Sequence, residues 1–450
     1  FTLESIIERF KESYEYYQKG ELPPKDFKLV YDDADVEKQY KAGMIGKTKY
    51  TDYQKGKKLG DWQCLSADTK VLTKEDSWIN IKDVNESHNV MTRDGWNNVL
   101  ETRSMGKKQT FTIKPNLLLP YNATNDHKIL IGTIDYQRTH KSKETGKLSK
   151  YKYDIVNNMQ FVEVQNIDLS KHNYSITPID MTEISAFPDN FNVINEALEI
   201  LAASICDGYF GDSVIEIAFG SSDAEGEKAV KFLETINVLA NALGANNKAP
   251  AVLKNIKENS NRKENCIRIY NKEVRSFIID HIRGHYSYEK HFDNKIMQWP
   301  VAIQEKLLRC MLKYDGCITK NRKSKVYAHQ TTSEVLALQV QQLYLRTSRI
   351  ASISKDVRTN GTNMTNKARP RYQVYVYPDS DYNRGFIYEN ALYTKINRIE
   401  KNEIMDVYDI QVDKNHEFLT SGGIVHNCSY CNYKDKCWGK TDLFEFDFDI

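Results

Sequence analysis

The chain has 450 residues, with 63 Lys and Arg against 61 Asp and Glu, so its net charge of +2 excludes a strongly acidic or strongly basic protein. This length predicts about three domains. The sequence has no long uncharged apolar run, which argues against a membrane span, and the residues after Phe1 do not have the pattern of a signal peptide. Eight cysteines are too few for a disulfide scaffold, so we expect a cytoplasmic protein, microbial or phage-encoded, with thiol or metal chemistry.

The pattern of apolar, polar and turn-forming residues changes along the chain. Residues 1–63 begin with a helical pattern but have too little apolar sequence for a core of their own. Residues 64–187 consist of short β-type runs separated by turn residues. The basic stretch at 138–153 is predicted to be a solvated loop or long hairpin, with a binding site as the alternative. Short β-type runs return at 389–427, and residues 428–450 combine clustered cysteines with an acidic, aromatic tail.

Between the two β-type regions, residues 188–388 alternate helical and strand patterns twice, which indicates an internal repeat. The β-type runs on either side must then close in space around these residues. The predicted fold is therefore multidomain, with an all-β domain made of 64–187 and 389–427 and an α/β (α+β) domain inserted into it.

The borders of the all-β domain carry reactive residues. It begins at Cys64 and ends at His426 and Asn427, which are followed at once by Cys428. Two internal segments, ATNDHKIL at 123–130 and VYDIQVDKNHEFLTSGGIVHNC at 407–428, complete the pattern. Together these features resemble an intein, a self-splicing element with a Hint-type fold, covering residues 64–427.

The resemblance implies a role for each residue at the first border. The Cys64 thiol attacks the Gln63 carbonyl to form a thioester, and Thr124 orients the peptide between them. His127 supplies the proton for the departing nitrogen, since His changes its charge near pH 7. Asp409 resembles the family's carboxylate that lies between the two borders and activates Cys64 and then Cys428.

The second border releases the element. Asn427 cyclises on its own carbonyl, His426 polarises that carbonyl, and His416 aids deprotonation of the Asn427 side chain. Two glycines, Gly422 and Gly423, fit a tight turn that returns the last strand. The structural alternatives are a core histidine at 127, a turn-forming asparagine at 427 and a metal-binding cysteine at 64.

The inserted region has a paired motif. The segments ILAASICDGYF at 200–210 and LLRCMLKYDGCI at 307–318 each end an apolar helix with Asp-Gly. They resemble the paired helices of LAGLIDADG homing endonucleases. Small residues would let the two helices touch along one seam: Ala202, Ala203, Gly208, Cys310 and Gly316. Asp207 and Asp315 would then lie side by side at the base of the seam and hold Mg²⁺ against two DNA phosphates.

This second resemblance implies a monomer that binds double-stranded DNA through two β-saddles in the major groove. The basic residues expected to contact phosphates are Arg322, Lys323, Lys325, Arg369 and Arg371. The second motif departs from the family pattern, because Cys310 replaces a glycine and Lys313 and Tyr314 precede the acid. Lys313 is expected to change the charge near Asp315. The alternative is two buried helices that end in Asp-Gly capping turns.

The outer segments would form the host protein after splicing. Cys428, Cys431 and Cys437 have C-x2-C-x5-C spacing, which suggests a metal site. With GELPPKDF upstream, they resemble the end of PD-(D/E)XK exonucleases that carry an iron–sulfur cluster. Zinc is the competing metal. The leading hypothesis is autocatalytic splicing coupled to a homing endonuclease, and the alternative is a metal-binding nuclease fragment with a non-splicing regulatory or DNA-binding insertion.

Overall fold

The computed structural model describes residues 63–427, apart from 138–151, 156–158, 171–172, 189–190, 221, 246–249, 257–263, 322–323, 358–368, 378–383 and 415. The helix expected within residues 1–63 and the Cys-rich segment after residue 427 lie outside the described residues. Within the described part, no helix is both long enough and apolar enough to cross a membrane.

The first described part is almost entirely strands, joined by short 3-10 turns at Ile81–Asp83 and Val164–Asn166. In chain order the strands are β1 Leu65–Ser66, β2 Lys70–Thr73, β3 Ser77–Asn80, β4 Asn89–Thr92, β5 Gly95–Pro115, β6 Tyr121–Ala123, β7 Lys128–Gln137, β8 Lys152–Ile155, β9 Gln160–Glu163 and β10 Asn173–Pro178.

The middle part alternates helices and strands. In chain order it contains α1 Ile194–Asp207, β11 Gly208–Phe210, β12 Ile215–Phe219, α2 Asp223–Ala242, β13 Ala251–Ile256, β14 Glu264–Ile269, α3 Lys272–His281, β15 Ile282–Arg283, β16 His291–Phe292, α4 Asn294–Met297, α5 Val301–Tyr314, β17 Gly316–Asn321, β18 Ser324–Thr331, α6 Glu334–Arg346, β19 Ala351–Asp356 and β20 Arg371–Val376. The last strands are β21 Gly385–Tyr388, β22 Ala391–Val412, β23 Glu417–Thr420 and β24 Gly423–His426.

Strands from both sides of the middle part join in one antiparallel sheet, as the sequence predicts. The hairpin β23–β24 lies between β2 and β7, and the long strand β22 pairs with β1, β5, β10 and β21. The two ends of the all-β domain are therefore neighbours in space. A cluster of buried side chains holds them together: Leu65, Val71, Ile113, Ile129, Ile410, Phe418 and Val425. Burial of each contributes roughly 1.5–3 kcal/mol relative to exposure.

The middle part contains two copies of one arrangement, in agreement with the repeat seen in the sequence. The sheets are ordered β11-β12-β14-β13 and β17-β18-β20-β19, and each follows a long helix. In both copies the second helix begins with a serine cap: Ser222 Oγ accepts from the Glu225 N–H, and Ser333 Oγ accepts from the Leu336 N–H. The two long helices, α1 and α5, pack against each other.

Helix α6 also packs against the all-β domain. It is buried nearly all round, including the amides of Gln339 and Gln341. Gln339 Nε2 donates to Ser77 Oγ at 3.0 Å, and Gln341 Nε2 donates to the Leu117 carbonyl at 2.9 Å. Buried amides require such partners. The inserted part is therefore anchored to the β domain by a helix face that is partly polar.

Candidate active sites

The backbone of Cys64 is held on both sides by one threonine. The Cys64 N–H, which belongs to the peptide that joins it to Gln63, donates to Thr124 Oγ1 at 3.0 Å. The Thr124 N–H donates in turn to the Cys64 carbonyl at 2.9 Å. Cys64 and Thr124 are both buried. Two hydrogen bonds therefore join Thr124 to the backbone of Cys64 at the first border.

His127 lies in the same turn as Thr124 and is fully buried. Neither nitrogen of its ring forms a hydrogen bond of good geometry in the described part of the chain. Burial lowers the pKa of His127 to about 3, while the backbone of Gln63 opposes this weakly and the charge of His426 adds to it. At neutral pH the ring is therefore an uncharged imidazole beside the Gln63 backbone, able to give or accept one proton.

Asp409 lies across from the first border. Leu65 pairs with Tyr408 and Ser66 pairs with Val407. The same antiparallel register, continued by one residue, brings Asp409 opposite Cys64. Its side chain is buried, and one carboxylate oxygen accepts the Ile410 N–H at 2.9 Å. Strand pairing therefore brings a buried carboxylate opposite the first border.

The second border lies at the end of β24. Asn427 is fully buried, and neither polar atom of its side chain has a hydrogen bond in the described residues. Its backbone N–H donates to the carbonyl of His416 at 2.9 Å. His416 has a φ of +52° and directly precedes β23. The sequence analysis gave the His416 side chain a role in deprotonating Asn427, and the contact observed between the two residues is made by the His416 backbone carbonyl.

The ring of His426 packs against an aromatic neighbour. Phe161 lies edge-to-face with it, with 4.9 Å between the ring centres. Burial, with smaller contributions from the charges of Lys128 and His416, lowers the pKa of His426 to about 4. Like His127, His426 is uncharged at neutral pH.

The two borders converge through the pairing of β24 with β7, where Val425 lies opposite Ile129. Two glycines allow this close approach. A side chain on Gly422 would collide with the Tyr121 ring, and Gly423 has a φ of +115° beside Ser175. Cys428, which follows Asn427, lies outside the described residues, as do Cys431 and Cys437.

Asp207 and Asp315 lie together at the base of the α1–α5 seam. Both side chains reach solvent, yet the protein around them raises both pKa values. For Asp207 burial is the main cause and the charge of Asp315 adds to it, so that its pKa is about 6. Gly208 and Gly316 are required here, because a side chain on either would collide with backbone four residues earlier.

Lys290 is part of this site, although the sequence analysis did not select it. It is buried, and its ammonium donates to the carbonyls of Gly208, Ser204 and Ile205 at 2.5, 3.2 and 3.3 Å. Burial lowers its pKa, and the charges of Asp207 and Asp315 oppose that change. Lys290 lies in a loop between the two repeats, and the polar sequence of this loop contains no motif that would have indicated a site.

The sequence expectation for Lys313 needs correction. Its ammonium donates to Glu199 at 2.6 Å, and the Tyr314 hydroxyl donates to the same carboxylate at 2.8 Å. The charge of Lys313 is therefore paired across the seam with Glu199. The charged neighbour of Asp315 is Lys290 instead.

The structure describes the side chains of only two of the five basic residues expected to contact phosphates. Arg322 and Lys323 lie outside the described residues, and the side chain of Lys325 is not described. The Arg369 guanidinium lies 3.3 Å from the centre of the Tyr288 ring. Arg371 lies 3.6 Å from the Asp356 carboxylate. Both described arginines therefore have partners within the protein.

Among the described residues, no group of three or more His, Cys, Asp or Glu side chains could hold a metal ion. The pair Asp207 and Asp315 provides two hard oxygen donors, which is the ligand type that Mg²⁺ prefers when water and phosphate complete its shell. Partial burial is the main cause of the raised pKa of both carboxyls, and a bound cation would favour their charged form. The carboxylate pair therefore fits Mg²⁺.

No protein-family model matches the chain. A curated protein, the ATP-dependent DNA helicase Hel308 of Thermococcus kodakarensis, is 28% identical over 199 residues, covering 38% of this chain. The chain spans only 17% of the length of that relative.

Solved structures show low similarity to the two parts of the chain. A variant of the Ssp DnaB mini-intein is 9% identical with a TM-score of 0.26, covering 82% of this chain and 97% of that chain. I-DmoI in complex with DNA and Mn is 11% identical with a TM-score of 0.28, covering 41% of this chain and 91% of that chain. The N-terminal LAGLIDADG domain of DUF199/WhiA is 14% identical with a TM-score of 0.26, covering 42% of this chain and 79% of that chain. Function is therefore inferred from the residues and their geometry.

Proposed function

We propose that the chain splices itself, excising residues 64–427 and joining Gln63 to Cys428. The observation that carries the proposal is the convergence of two buried peptide junctions. Thr124 binds the backbone of Cys64, which lies opposite Asp409. The His416 carbonyl accepts the Asn427 N–H, and the hairpin that leads to Asn427 pairs with β7, next to His127. These residues lie at the two borders of one β domain, where excision requires them.

In the first step, the Cys64 sulfur attacks the Gln63 carbonyl carbon, and the bond from that carbon to the Cys64 nitrogen breaks. Asp409 is the candidate acceptor for the thiol proton, because the strand register brings it opposite Cys64. His127, whose ring is uncharged at neutral pH, is the candidate relay that passes this proton on to the departing nitrogen. The hydrogen bond from the Cys64 N–H to Thr124 holds this nitrogen in place during the reaction.

In the second step, the Cys428 thiolate attacks the thioester, so that residues 1–63 move to the sulfur of Cys428 and the Cys64 thiol is released. The side-chain nitrogen of Asn427 then attacks its own carbonyl carbon and loses a proton. The peptide bond to Cys428 breaks as this proton passes, through His416 as the candidate base and the uncharged His426 ring as the relay, to the leaving nitrogen. A final shift of the acyl group from sulfur to nitrogen leaves an ordinary peptide bond.

Expression of the whole chain tests the proposal. Splicing predicts two products by mass spectrometry, namely a free piece with the mass of residues 64–427 and a ligated product of residues 1–63 and 428–450. Only full-length protein is expected for the alternative, a metal-binding nuclease fragment with a non-splicing insertion. A Cys64→Ala, Asn427→Ala double variant is the control that should remain full-length.

The middle part supports a second activity, site-specific cleavage of double-stranded DNA by a monomer with Mg²⁺. The observation that favours it is the carboxylate pair Asp207 and Asp315 beside the buried charge of Lys290. The two carboxylates would hold the ion, which when bound polarises the scissile phosphate and lowers the pKa of water. Incubation with the uninterrupted host gene tests this activity, with EDTA as the control.

The host protein formed by the outer segments, residues 1–63 and 428–450, is a separate proposal. We infer an exonuclease-like host of the PD-(D/E)XK type in the cytoplasm, with an iron–sulfur cluster or zinc bound by Cys428, Cys431 and Cys437. The spacing of these cysteines supports a metal site. Metal analysis of the ligated product, with optical spectra for iron–sulfur absorption, distinguishes the two metals.

A further inference from the structure

An ion pair between a buried carboxylate and a partly exposed arginine lies beside the second splice border, and neither residue was given a role in the sequence analysis. Glu417 begins β23, and its side chain has no exposure to solvent. Arg93, in the turn between β4 and β5, donates from Nε to both carboxylate oxygens at 2.9 Å, and its Nη2 lies 2.7 Å from Oε2. The Arg93 backbone N–H also donates to Oε1 at 2.9 Å. These contacts from one residue hold the carboxylate in a single orientation.

Glu417 connects to both groups at the border. It pairs across the hairpin with His426, and such cross-strand partners place their Cβ atoms about 4.5–5.5 Å apart on the same face. It also directly follows His416, whose carbonyl accepts the Asn427 N–H. The position of Glu417 therefore affects the His426 ring across the hairpin and the Asn427 peptide along the chain.

Arg93 reaches His426 by a second route. Its guanidinium lies 5.7 Å from the centre of the Phe161 ring, and Phe161 packs edge-to-face against the His426 ring. His426 therefore lies between a strand that Arg93 anchors and an aromatic ring that Arg93 contacts.

The buried carboxylate explains why Arg93 matters to this geometry. A buried charge that loses its partner takes hydrogen-bond donors from its surroundings. Nδ1 of His426 and Nδ1 of His416 are buried nearby without partners in the described residues. Without Arg93, Glu417 would draw these rings out of their present positions.

We propose that Arg93 is a positioning residue for the release step, holding the His426 ring and the Asn427 peptide in place through Glu417 and Phe161. The inference rests on the proposed splicing activity. It assigns Arg93 to the second border alone, because the contacts described for Arg93 do not include Cys64, Thr124 or His127.

Two cleavage reactions of the full chain test the two splice borders separately. Cleavage before Cys428 in a Cys64→Ala background reports on Asn427 cyclisation, and thiol-induced cleavage after Gln63 in an Asn427→Ala background reports on the thioester. Arg93→Gln should slow the first reaction at least about tenfold, equivalent to about 1.4 kcal/mol. The second reaction should change less than about twofold, because its residues keep their contacts. Arg93→Lys should recover part of the rate by restoring the charge.

Arg398→Gln is the matched control, because it removes an arginine from an exposed ion pair with Glu400 in the same domain. It should leave both reactions unchanged. As a second measurement, NMR of labelled histidine should show a changed His426 ring shift in Arg93→Gln, since the Phe161 ring current depends on their packing. Equal slowing of both reactions, or a normal release rate, would overturn the proposal. A parent chain that does not splice would instead overturn the proposed function, on which this inference depends.

Discussion

Asn427 donates its backbone N–H to the carbonyl oxygen of His416 at 2.9 Å, while its own side-chain amide has no hydrogen bond in the described residues. An unpartnered buried amide costs about 1–3 kcal/mol. The backbone of this residue is thus fixed while its side chain is left without a stabilising contact. That arrangement suits an amide that must attack its own carbonyl.

The two borders should respond differently to mutation. Asn427→Ala removes the cyclising group but leaves Cys64, Thr124 and His127 intact, so thiol should still induce cleavage after Gln63. Cys64→Ala should abolish that cleavage because no thioester can form. Mass spectrometry of both variants after dithiothreitol treatment measures the products, and unchanged splicing in either variant would contradict the mechanism.

Thr124→Val should slow thioester formation. The substitution keeps the shape of the side chain but removes the hydrogen bond from the Cys64 N–H. A buried hydrogen bond contributes roughly 0.5–1.5 kcal/mol, so we expect a decrease of roughly 2- to 12-fold in the rate of thiol-induced cleavage. Thr112→Val is the matched control, because it removes a threonine hydroxyl contact between β5 and β6, to Asn122, that does not involve Cys64.

The buried His127 ring should make the protein less stable in acid. Its pKa is about 3 when folded and 6.5 when exposed, so the unfolded chain binds a proton that the folded chain does not. The free energy of unfolding therefore falls as the pH falls from about 6.5 toward about 3. His127→Gln should remove at least ~1 kcal/mol of this dependence between about pH 6.5 and 4.5.

Urea unfolding at several pH values measures this effect. Other buried histidines, such as His329 with a pKa of about 4, contribute equally to the parent and the variant. The difference between the two pH profiles therefore isolates His127. Superimposable profiles would show that the ring is not buried in this way.

Splicing and DNA cleavage should be separable. Asp207→Ala should abolish Mg²⁺-dependent double-strand cleavage of the host gene, because it removes one member of the carboxylate pair. Splicing should continue at the parent rate, since Asp207 lies at the end of α1 and the splice borders lie on β1 and β24. Loss of splicing in this variant would mean that the domain boundaries are misplaced.

Zinc should inhibit splicing reversibly. The Cys428 sulfur must attack the thioester before splicing, and a bound metal ion would occupy that sulfur. Addition of a chelator should restore the reaction. A Cys431→Ser, Cys437→Ser variant should be less sensitive to zinc, and equal sensitivity would mean that the host metal site has no part in the inhibition.

The sequence by itself determined the chemical identity and order of the splice-border residues. Cys64, Asn427 and Cys428 are adjacent to the bonds that they are proposed to break or form, so their roles depend on covalent neighbours that are visible in the sequence. The two helices that end in Asp-Gly could also be predicted from their apolar and small residues, and their pairing followed from the resemblance to LAGLIDADG endonucleases. Both helices form and pack together.

Only the tertiary structure decided which polar groups face one another. The partner of Glu417 is Arg93, the partner of Lys313 is Glu199, and Lys290 bonds to carbonyls at the end of α1. Each of these pairs is separated by many residues, and none is marked by composition or period. A hydrophobic pattern reports which face of a segment is buried but not which polar side chain it meets, because that choice depends on how distant segments pack.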